Sequence, residues 1–306
     1  MLYVCLMGGV VLLLAYLYTR GSNPTILNQK VVLLITAHPD DECMFFGPTI
    51  TALTESGCQV YILCLSTGNW YGIGEKRKHE FFKSCDALGL NRDHCEIVDD
   101  DKLPDSPTIK WDEDYIVTVI DRHLINKNIT ALLTFDSYGV SGHHNHISVY
   151  ESVLKYYNPA LTKYKLTSVS IVRKYISFVD IIIANMLGEK IILTPIPDFV
   201  RPYRAMFQHR SQLMWFRYLY LLFSRYMFMN TLEVMWIKRF TILSNSVILC
   251  TFHAEFLFFI AYSAYAMILV LFLFHLRSCC RNWCTLKIFG VPNKNLVEHL
   301  VVCLAW

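Results

Sequence analysis

The chain has 306 residues, of which 54% are hydrophobic and 17% are charged, and its formal net charge is +3. So small a positive charge, without a basic stripe interleaved with aromatic residues, excludes a typical nucleic-acid-binding protein. The eleven cysteines form no C-x-x-C pair, which argues against a zinc ribbon or a thioredoxin-like site and favours free thiols in a reducing compartment.

The first predicted element is an apolar N-terminal segment. Residues 2–18 are almost wholly apolar and are followed by Arg20 and later by Lys30. Their length is near the lower limit for crossing a bilayer, so we predict a transmembrane anchor over residues 1–20. A secretory signal peptide fits poorly, because no basic residue precedes the apolar run and no small-residue cleavage site precedes Arg20. Positive charge only on the C-terminal side predicts that the following domain faces the cytosol.

Between the apolar ends of the chain, predicted strands alternate with predicted helices. The strands cover residues 31–36, 59–65, 95–98 and 131–135, and the helices cover residues 48–56, 75–88, 112–126 and 150–157. This alternation predicts β-α-β units, and hence a Rossmann-like α/β fold whose mostly parallel sheet has helices on both faces. Ligands of such sheets bind beyond the carboxyl ends of the strands. Two loops that contain histidine occupy that position, one after Thr36 and one after Phe135.

The loop after the first strand reads Ala-His-Pro-Asp-Asp-Glu over residues 37–42. One imidazole and three carboxylates in a tight turn are costly to desolvate unless a cation or a proton offsets the charge. Pro39 ends the strand, so His38 and Asp41 can point to one spot across the turn. Asp40 would project off the metal axis, within reach of a bound water. A single turn of this kind is more often a satisfied loop than a ligand, so the metal hypothesis depends on a second cluster.

The second cluster reads Gly-His-His-Asn-His over residues 142–146. A helix that begins near Ser141 would place His143 and His146 one turn apart on the same face. One of the two can then bind a metal while the other lies beside the reacting centre. A structural His-x-x-His is the alternative, but two clusters on neighbouring loops favour a metal site. Imidazole and carboxylate donors suit zinc, with iron or manganese as the other candidates.

This donor set predicts metal-assisted amide hydrolysis. A water bound to such a metal has a pKa of about 7, and the Asp40 carboxylate can take its proton as general base. Attack on a carbonyl carbon produces an oxyanion, which the metal and a protonated His143 would stabilise. The same His143 could then donate a proton to the leaving nitrogen.

A second apolar segment covers residues 246–276, and its part from 256 to 274 carries no formal charge. It is long enough to span a bilayer, so we predict a second transmembrane segment, followed by a tail over residues 277–306. The alternative is a hydrophobic tail that lies on the membrane or against the domain. Residues 203–226 are rich in aromatic residues and arginines, which indicates either a helix lying along a lipid surface or a helix packed on the domain core.

Taken together, these motifs resemble the LmbE-like zinc de-N-acetylases. The resemblance is carried by the Ala-His-Pro-Asp-Asp-Glu of residues 37–42 and by the later His143-x-x-His146. Residues 66–71, 74–78 and 209–217 look like the eukaryotic branch of that family. The resemblance covers residues 2–232, so we predict an LmbE-like domain over residues 30–232. His144 replaces the small or proline residue that the family commonly has inside His-x-x-His.

The resemblance also implies a role for each candidate site residue. Five side chains match the family's catalytic positions: the metal ligands His38, Asp41 and His146, the general base Asp40, and the oxyanion-stabilising acid His143. Arg77 falls where the family has a basic residue near the polar group of the substrate, and a solvated helix arginine is the alternative. The implied cofactor is Zn²⁺ or another divalent metal.

The function implied by the resemblance is the removal of acetate from N-acetylglucosaminyl-phosphatidylinositol. This is an early step of glycosylphosphatidylinositol anchor synthesis at the endoplasmic reticulum membrane, with the catalytic domain facing the cytosol. The implied partners are the glycolipid substrate and the membrane. Two alternatives stay open: a deacetylase of a soluble amino-sugar conjugate, and a non-catalytic membrane scaffold with a vestigial metal site. The intact set of five site residues argues against the scaffold.

Overall fold

A seven-stranded mixed sheet forms the centre of the fold in the computed structural model, which describes residues 25–106 and 108–235. Its strands are β1 (Val31–Thr36), β2 (Gln59–Cys64), β3 (Cys95–Ile97), β4 (Ala131–Thr134), β5 (Thr162–Leu166), β6 (Ile191–Leu193) and β7 (Met229–Val234). The helices are α1 (Asp41–Met44), α2 (Gly47–Glu55), α3 (Gly74–Ala87), α4 (Glu113–Leu124), α5 (Gly139–Gly142), α6 (His144–Lys155), α7 (Ile171–Tyr175), α8 (Asp180–Met186), α9 (Arg201–Met206) and α10 (Trp215–Phe223).

The strand β1 is central because its side chains are continuously apolar, which suits burial on both faces of a parallel sheet. It pairs in parallel with β2 and β4, so Leu34 is aligned with Ile62 on one side and with Leu133 on the other. The strand order is β3-β2-β1-β4-β5-β7-β6. Connections from β1 and β4 run in opposite directions along the sheet, which opens a crevice at the carboxyl ends of these two strands.

Helices cover both faces of the sheet, as predicted. Helix α4 begins at its N-cap Asp112, whose carboxylate accepts hydrogen bonds from the N–H groups of Asp114 and Tyr115. The core between the layers contains the strand aliphatics and several fully buried aromatic rings, among them Phe45 and Phe135. Both rings also contact the crevice, so the packing of the core sets the floor of the site.

One edge of the sheet departs from parallel pairing. Strand β7 pairs antiparallel with β5 and with β6, whereas the other four pairings are parallel. Asn230 on β7 donates a hydrogen bond to the carbonyl oxygen of Phe45 at 2.8 Å and accepts one from Thr49 Oγ1 at 2.7 Å. The late strand β7 therefore fastens the segment that follows the first histidine loop.

Residues 203–226 do not form one helix. They contain the end of α9, a 3₁₀ turn at Arg210–Gln212, the helix α10, and part of a second 3₁₀ turn. Helix α10 buries Tyr220 and Leu221 against the domain, while Trp215, Tyr218 and Leu222 are exposed. One face of α10 thus packs on the domain core, and contact of the exposed face with a lipid surface stays a prediction.

The predicted anchor over residues 1–20, the second apolar segment over residues 246–276 and the tail over residues 277–306 lie outside the described residues. They stay predictions. Within residues 25–106 and 108–235, no helix has both the length and the apolar character that crossing a bilayer requires.

Candidate active site

Two loops meet at the crevice, one after β1 and one after β4. They bring the ring of His38 to within 4.8 Å of the His143 ring and 5.4 Å of the His146 ring, measured between centroids. One nitrogen from each of the three imidazoles lies within 4.8 Å of the other two, and all three side chains are buried. The fold thus gathers three histidines from two loops more than a hundred residues apart in the sequence.

Asp41 completes the donor set. Its Oδ2 accepts hydrogen bonds from the backbone N–H groups of Ala37 and His38 at 3.0 and 2.8 Å. Its Oδ1 faces Nε2 of His146 at 3.3 Å. Nδ1 of His146 donates to the carbonyl oxygen of Gly139 at 2.9 Å, so in the neutral ring Nε2 carries a lone pair. Two buried acceptors therefore face each other, an arrangement that a cation between them would stabilise.

These donors fit a divalent metal. Imidazole nitrogens with one carboxylate oxygen match catalytic zinc sites, which have three protein ligands and an open position. A tautomer fixed by a hydrogen bond from the other ring nitrogen, as at His146, is typical of metal-ligating histidines. His38 and His146 can share an ion with Asp41 or, by distance, with His143. The donors that lie within 4.8 Å of one another are those of His38, His143 and His146, so the predicted ligand set His38, Asp41 and His146 stays a prediction.

Asp40 lies beside the donor set in a strained conformation. Its φ is 113° and its ψ is −23°, in a region that residues other than glycine rarely adopt. Its Oδ1 lies 3.6 Å from Nη2 of Arg77, and its Oδ2 lies 3.3 Å from Nη2 of Arg217. Burial raises the pKa of Asp40 above its ordinary value, although both guanidinium groups oppose the shift. A raised pKa makes this carboxylate a better proton acceptor, as its predicted role requires.

His143 caps helix α6 instead of lying inside a helix. The sequence predicts a helix from Ser141, but α6 begins at His144 with His143 as its N-cap. The helical turn before it is broken at Val140, whose φ is 65°. The rings of His143 and His146 therefore meet at the start of the helix, with centroids 4.9 Å apart.

The cap also decides the protonation of His143. Its Nδ1 accepts a hydrogen bond from the N–H of Asn145 at 3.2 Å, which places the proton of the neutral ring on Nε2. Burial, with smaller contributions from His38 and His146, lowers the pKa of His143 to about 2. A pKa this low favours the neutral ring over the protonated imidazole expected from the sequence, and the role of His143 in the reaction stays a prediction. A neutral ring still donates one hydrogen bond through Nε2.

The loop after β4 is shaped by Asp136. Its Oδ1 accepts hydrogen bonds from the N–H of Gly139 at 3.0 Å and from Oγ of Ser168 at 2.6 Å. Gly139 has a φ of 63°, and a Cβ at this position would lie 2.7 Å from Cβ of His146. Only glycine meets both conditions, so Gly139 fixes the position of His146.

Arg77 is buried against the first loop and is not a solvated helix arginine. Its Nη1 donates to the carbonyl oxygen of Gly68 at 2.9 Å. Its Nη2 donates to the carbonyl oxygen of Pro39 at 2.7 Å and to Oε1 of Gln212 at 2.8 Å. These bonds hold the turn that carries Asp40. The structure therefore places Arg77 as a support of that turn, and contact with a substrate stays a prediction.

Asp105 is a site residue that the sequence motifs do not reveal. It lies in the loop between β3 and α4, with Oδ1 3.2 Å from Nε2 of His38 and Oδ2 3.3 Å from Nη1 of Arg77. Burial alone would raise the pKa of Asp105, but His38 and Arg77 lower it to about 2. Conversely, burial alone would lower the pKa of His38, but Asp105 and Asp41 raise it.

The ionised state of Asp41 follows from the same balance. Burial alone would raise the pKa of Asp41, but His146 and His38 hold it below its ordinary value. Asp41 therefore stays a carboxylate at neutral pH, which is the form that binds a metal.

Glu42, the last residue of the motif, lies in a buried hydrogen-bond network. Its Oε1 accepts hydrogen bonds from Oγ of Ser84 at 2.5 Å and from Nε2 of His209 at 2.7 Å. Its Oε2 accepts one from the N–H of Asp40 at 3.0 Å. Burial alone would raise the pKa of Glu42, but His209 and Ser84 lower it. This carboxylate therefore anchors the turn.

Residues 209–217, late in the chain, supply three side chains that hold the first loop. His209 binds Glu42, and Arg217 forms an ion pair with Asp40. Nε2 of Gln212 donates to the carbonyl oxygen of Pro39 at 3.2 Å. The sequence signal for this support is the similarity of residues 209–217 to the eukaryotic branch, which gives no indication of where these side chains point.

Comparison with known proteins identifies the family of the chain. The family model described as "PIG-L: GlcNAc-PI de-N-acetylase" matches residues 33–157, a range that includes both histidine loops. The chain is 40% identical to the N-acetylglucosaminyl-phosphatidylinositol de-N-acetylase of Bos taurus over 66% of this chain and 82% of the relative. It is 38% identical to the probable enzyme of the same name from Schizosaccharomyces pombe, over 70% of this chain and 90% of the relative.

A solved structure shares the fold. The N,N'-diacetylchitobiose deacetylase from Pyrococcus horikoshii superposes with a TM-score of 0.52 at 17% identity, covering 74% of this chain and 92% of that chain.

Proposed function

The chain belongs to the N-acetylglucosaminyl-phosphatidylinositol (GlcNAc-PI) de-N-acetylase family, and on that basis we propose that it hydrolyses the acetamide of GlcNAc-PI in glycosylphosphatidylinositol anchor synthesis. The observation that carries the proposal is the buried pair of acceptors, Asp41 Oδ1 and His146 Nε2, 3.3 Å apart. Asp40 lies beside this pair, so a cation site and a base occur together. Amide hydrolysis needs both.

We infer that His38, Asp41 and His146 hold a zinc ion. Their donor chemistry favours zinc, although another divalent metal suits the same set. When bound, such an ion would act as a Lewis acid toward the acetamide carbonyl and toward water. His143 is the remaining imidazole of the cluster and is assigned to the substrate, because its Nδ1 is engaged by the helix it caps.

Asp40 acts as the general base of the proposed reaction. It takes a proton from the attacking water, whose oxygen adds to the acetyl carbon. As the C–N bond breaks, Asp40 returns that proton to the amine nitrogen, and acetate and a free amine result. Burial raises the pKa of Asp40, which favours the first transfer. Arg77 and Arg217 contact its two oxygens and hold the carboxylate in position.

His143 stabilises the oxyanion as a neutral hydrogen-bond donor. The N–H of Asn145 fixes the ring through Nδ1, so Nε2–H is oriented before the substrate arrives. Preorganised donors of this kind lower the barrier because they do not reorient during the reaction.

The exposed aromatic residues around the crevice support a lipid substrate presented at a membrane. Trp70 and Tyr71 follow β2, and the N–H of Trp70 donates to Asp105. Tyr138 lies in the second histidine loop, and Trp215 lies two residues before Arg217; both are exposed. Aromatic side chains of this type are favoured at the membrane–water interface. The mouth of the site would therefore face the bilayer that contains GlcNAc-PI.

We further infer a location at the endoplasmic reticulum membrane, with the catalytic domain in the cytosol. The positive charges after the predicted anchor support this orientation. The described cysteines, Cys43, Cys58, Cys64, Cys85 and Cys95, are all free thiols, which agrees with a reducing compartment.

The proposal is tested with the purified full-length chain. Bound metal is quantified by elemental analysis, and acetate release from GlcNAc-PI is measured before and after chelation, and again after zinc is restored. We expect activity that is lost with the metal and regained with it, and little activity in Asp40→Asn. An inert wild type would favour a scaffold, and faster turnover of lipid-free N-acetylglucosaminyl-inositol would overturn the lipid assignment.

A further inference from the structure

Lys174 is a buried lysine near the site that the proposed reaction does not use. It lies on α7 and exposes 4% of its surface. Within the part of the chain that the structure describes, its ammonium has no hydrogen-bond or ion-pair partner. Its Nζ lies 6.0 Å from the centre of the Phe45 ring and 5.6 Å from that of the Tyr175 ring. Aromatic faces stabilise an ammonium only in part, so an anion beside Nζ would stabilise this charge further.

A second buried lysine shows how this chain satisfies an ammonium that has only a structural role. Lys163 on β5 is 7% exposed, and its Nζ donates to the carbonyl oxygens of Leu154 and Tyr156. Lys174 has no such carbonyl among the described residues. The contrast between the two lysines indicates that Lys174 binds something other than the fold itself.

Lys174 adjoins the active site through Phe45. The Phe45 ring lies 6.0 Å from Nζ of Lys174, and its centroid lies 5.9 Å from that of the His146 ring. Burial, with a smaller contribution from the nearby Arg217, lowers the pKa of Lys174 to about 8. Lys174 is therefore still largely protonated at neutral pH, so two positive charges lie close together beside the crevice.

The carboxylates nearby already have other partners, and Asp105 pairs with Arg77 at 3.3 Å. Asp40 is shared between two guanidinium groups, that of Arg217 at 3.3 Å and that of Arg77 at 3.6 Å. Lys174 adds a further positive charge without a carboxylate of its own. This side of the site is therefore ready for an anionic group that a ligand brings with it.

We propose that Lys174, with Arg217 beside it, binds the phosphodiester of the substrate. The inference rests on the proposed function, since GlcNAc-PI carries a phosphodiester on the inositol that is linked to the acetylated sugar. Ammonium and guanidinium groups form strong charge-assisted hydrogen bonds to phosphate oxygens. Such a site makes the enzyme select phosphorylated inositol glycolipids over amino-sugar conjugates without phosphate.

The test compares two lipid-free substrates that differ only in the phosphate. One is deacylated GlcNAc-PI, which keeps the phosphodiester on glycerol, and the other is N-acetylglucosaminyl-inositol. The measured quantity is the ratio of kcat/KM for the first substrate over the second. We expect Lys174→Met to reduce this ratio by about 10- to 100-fold, mainly through KM, because it removes a charged partner of the phosphate. Lys174→Arg should keep most of the ratio.

Matched controls separate a binding role from a structural one. Lys165→Met replaces a partly exposed lysine paired with Glu233, and it should leave the ratio as in the wild type. An unchanged ratio in Lys174→Met would overturn the inference, whether kcat/KM stays the same or falls equally on both substrates. A wild type that hydrolyses neither these substrates nor GlcNAc-PI would instead contradict the proposed function.

Competition on the wild type tests the same site without relying on the folding of a variant. Glycerophosphoinositol should inhibit hydrolysis of N-acetylglucosaminyl-inositol competitively, and inorganic phosphate at the same concentration should inhibit much less. Equal inhibition by the two would assign the site to free anions and overturn the substrate assignment. No inhibition by glycerophosphoinositol would also contradict it.

Discussion

Nε2 of His209 lies 2.7 Å from Oε1 of Glu42, although 167 residues separate the two in the sequence. Both side chains are fully buried. Glu42 also accepts a hydrogen bond from the N–H of Asp40. The contact between His209 and Glu42 therefore connects the late part of the chain to the turn that carries the general base.

Replacing His209 should destabilise the fold. His209→Ala leaves the Glu42 carboxylate buried without its imidazole partner, which lowers the free energy of unfolding by about 3 kcal/mol at neutral pH. Since the folded-state pKa of Glu42 is lowered, its contribution is present above its unfolded pKa of about 4.3 and is lost as the pH falls. Denaturation of both proteins from pH 7 to pH 3 should therefore show the difference shrinking. His79→Ala, at an exposed histidine of α3, is the control, and an equal loss there would contradict the prediction.

Metal analysis should distinguish variants of the proposed metal ligands from a variant of the proposed general base. Asp41→Ala and His146→Ala should lose bound metal and activity together. Asp40→Asn should keep its metal while activity falls by about 10²- to 10⁴-fold, because only the proton acceptor is removed. Elemental analysis and acetate release on the same preparations check this. Equal metal loss in all three variants would show that Asp40 is a ligand.

Two substitutions at His143 should distinguish its role as the N-cap of α6 from its role as a hydrogen-bond donor in the reaction. His143→Ala should lower the free energy of unfolding by about 1 kcal/mol, because the N–H of Asn145 loses its acceptor. His143→Asn supplies a good N-cap and should restore stability. Both should lower kcat by about 10²- to 10³-fold, since neither offers the oriented Nε2–H donor. Full activity in His143→Asn would exclude the oxyanion role.

Gly139→Ala should weaken metal binding. The new Cβ would lie 2.7 Å from Cβ of His146, so the imidazole must move, and we expect about a 10- to 100-fold loss of metal affinity. Gly188→Ala is a matched control, because its φ of +67° is similar but no heavy atom lies within 4 Å. Both variants should lose about 1–2 kcal/mol of stability from the left-handed backbone. Competitive chelation measures the metal affinity of each variant, and equal affinities in Gly139→Ala and Gly188→Ala would contradict the prediction.

Lys174→Met should stabilise the protein at neutral pH. Burial lowers the pKa of Lys174 from 10.5 to about 8, so folding with this ammonium charged costs about 3 kcal/mol. Between about pH 8 and 10.5 the unfolded chain binds more protons than the folded one, and wild-type stability therefore rises with pH. The advantage of Lys174→Met should be largest below pH 8 and should disappear near pH 10.5. Thermal unfolding across this range checks it, and a variant less stable than wild type at pH 7 would contradict it.

The sequence predicts the parallel part of the fold well. Continuous apolar runs and short connections predict β1, β2, β3 and β4 nearly at their observed bounds, and these strands carry both histidine loops. The pattern does not predict the antiparallel edge. Strand β6 has only three residues, which is too short for a periodicity, and the sequence prediction missed β5 although Thr-Lys-Tyr-Lys-Leu alternates polar and apolar residues.

Convergence of the two loops follows from strand order, but the details of the site do not. The start of α6 depends on the left-handed Val140, which no composition rule predicts for a β-branched residue. Asp105 lies in a polar loop with several other aspartates, and only tertiary contact distinguishes it. The orientation of His209 and Arg217 depends on contacts across most of the chain, which local patterns do not contain.

The support of the first loop by residues 209–217 bears on shortened versions of this protein. A product that ends after residue 157 would retain the whole region matched by the family model, and with it every side chain assigned to the chemistry. It would lack both the histidine that is hydrogen-bonded to Glu42 and the arginine that holds Asp40. Splice variants or truncations that keep the motif but lose this late stretch should therefore be counted as inactive when genomes are surveyed for the enzyme.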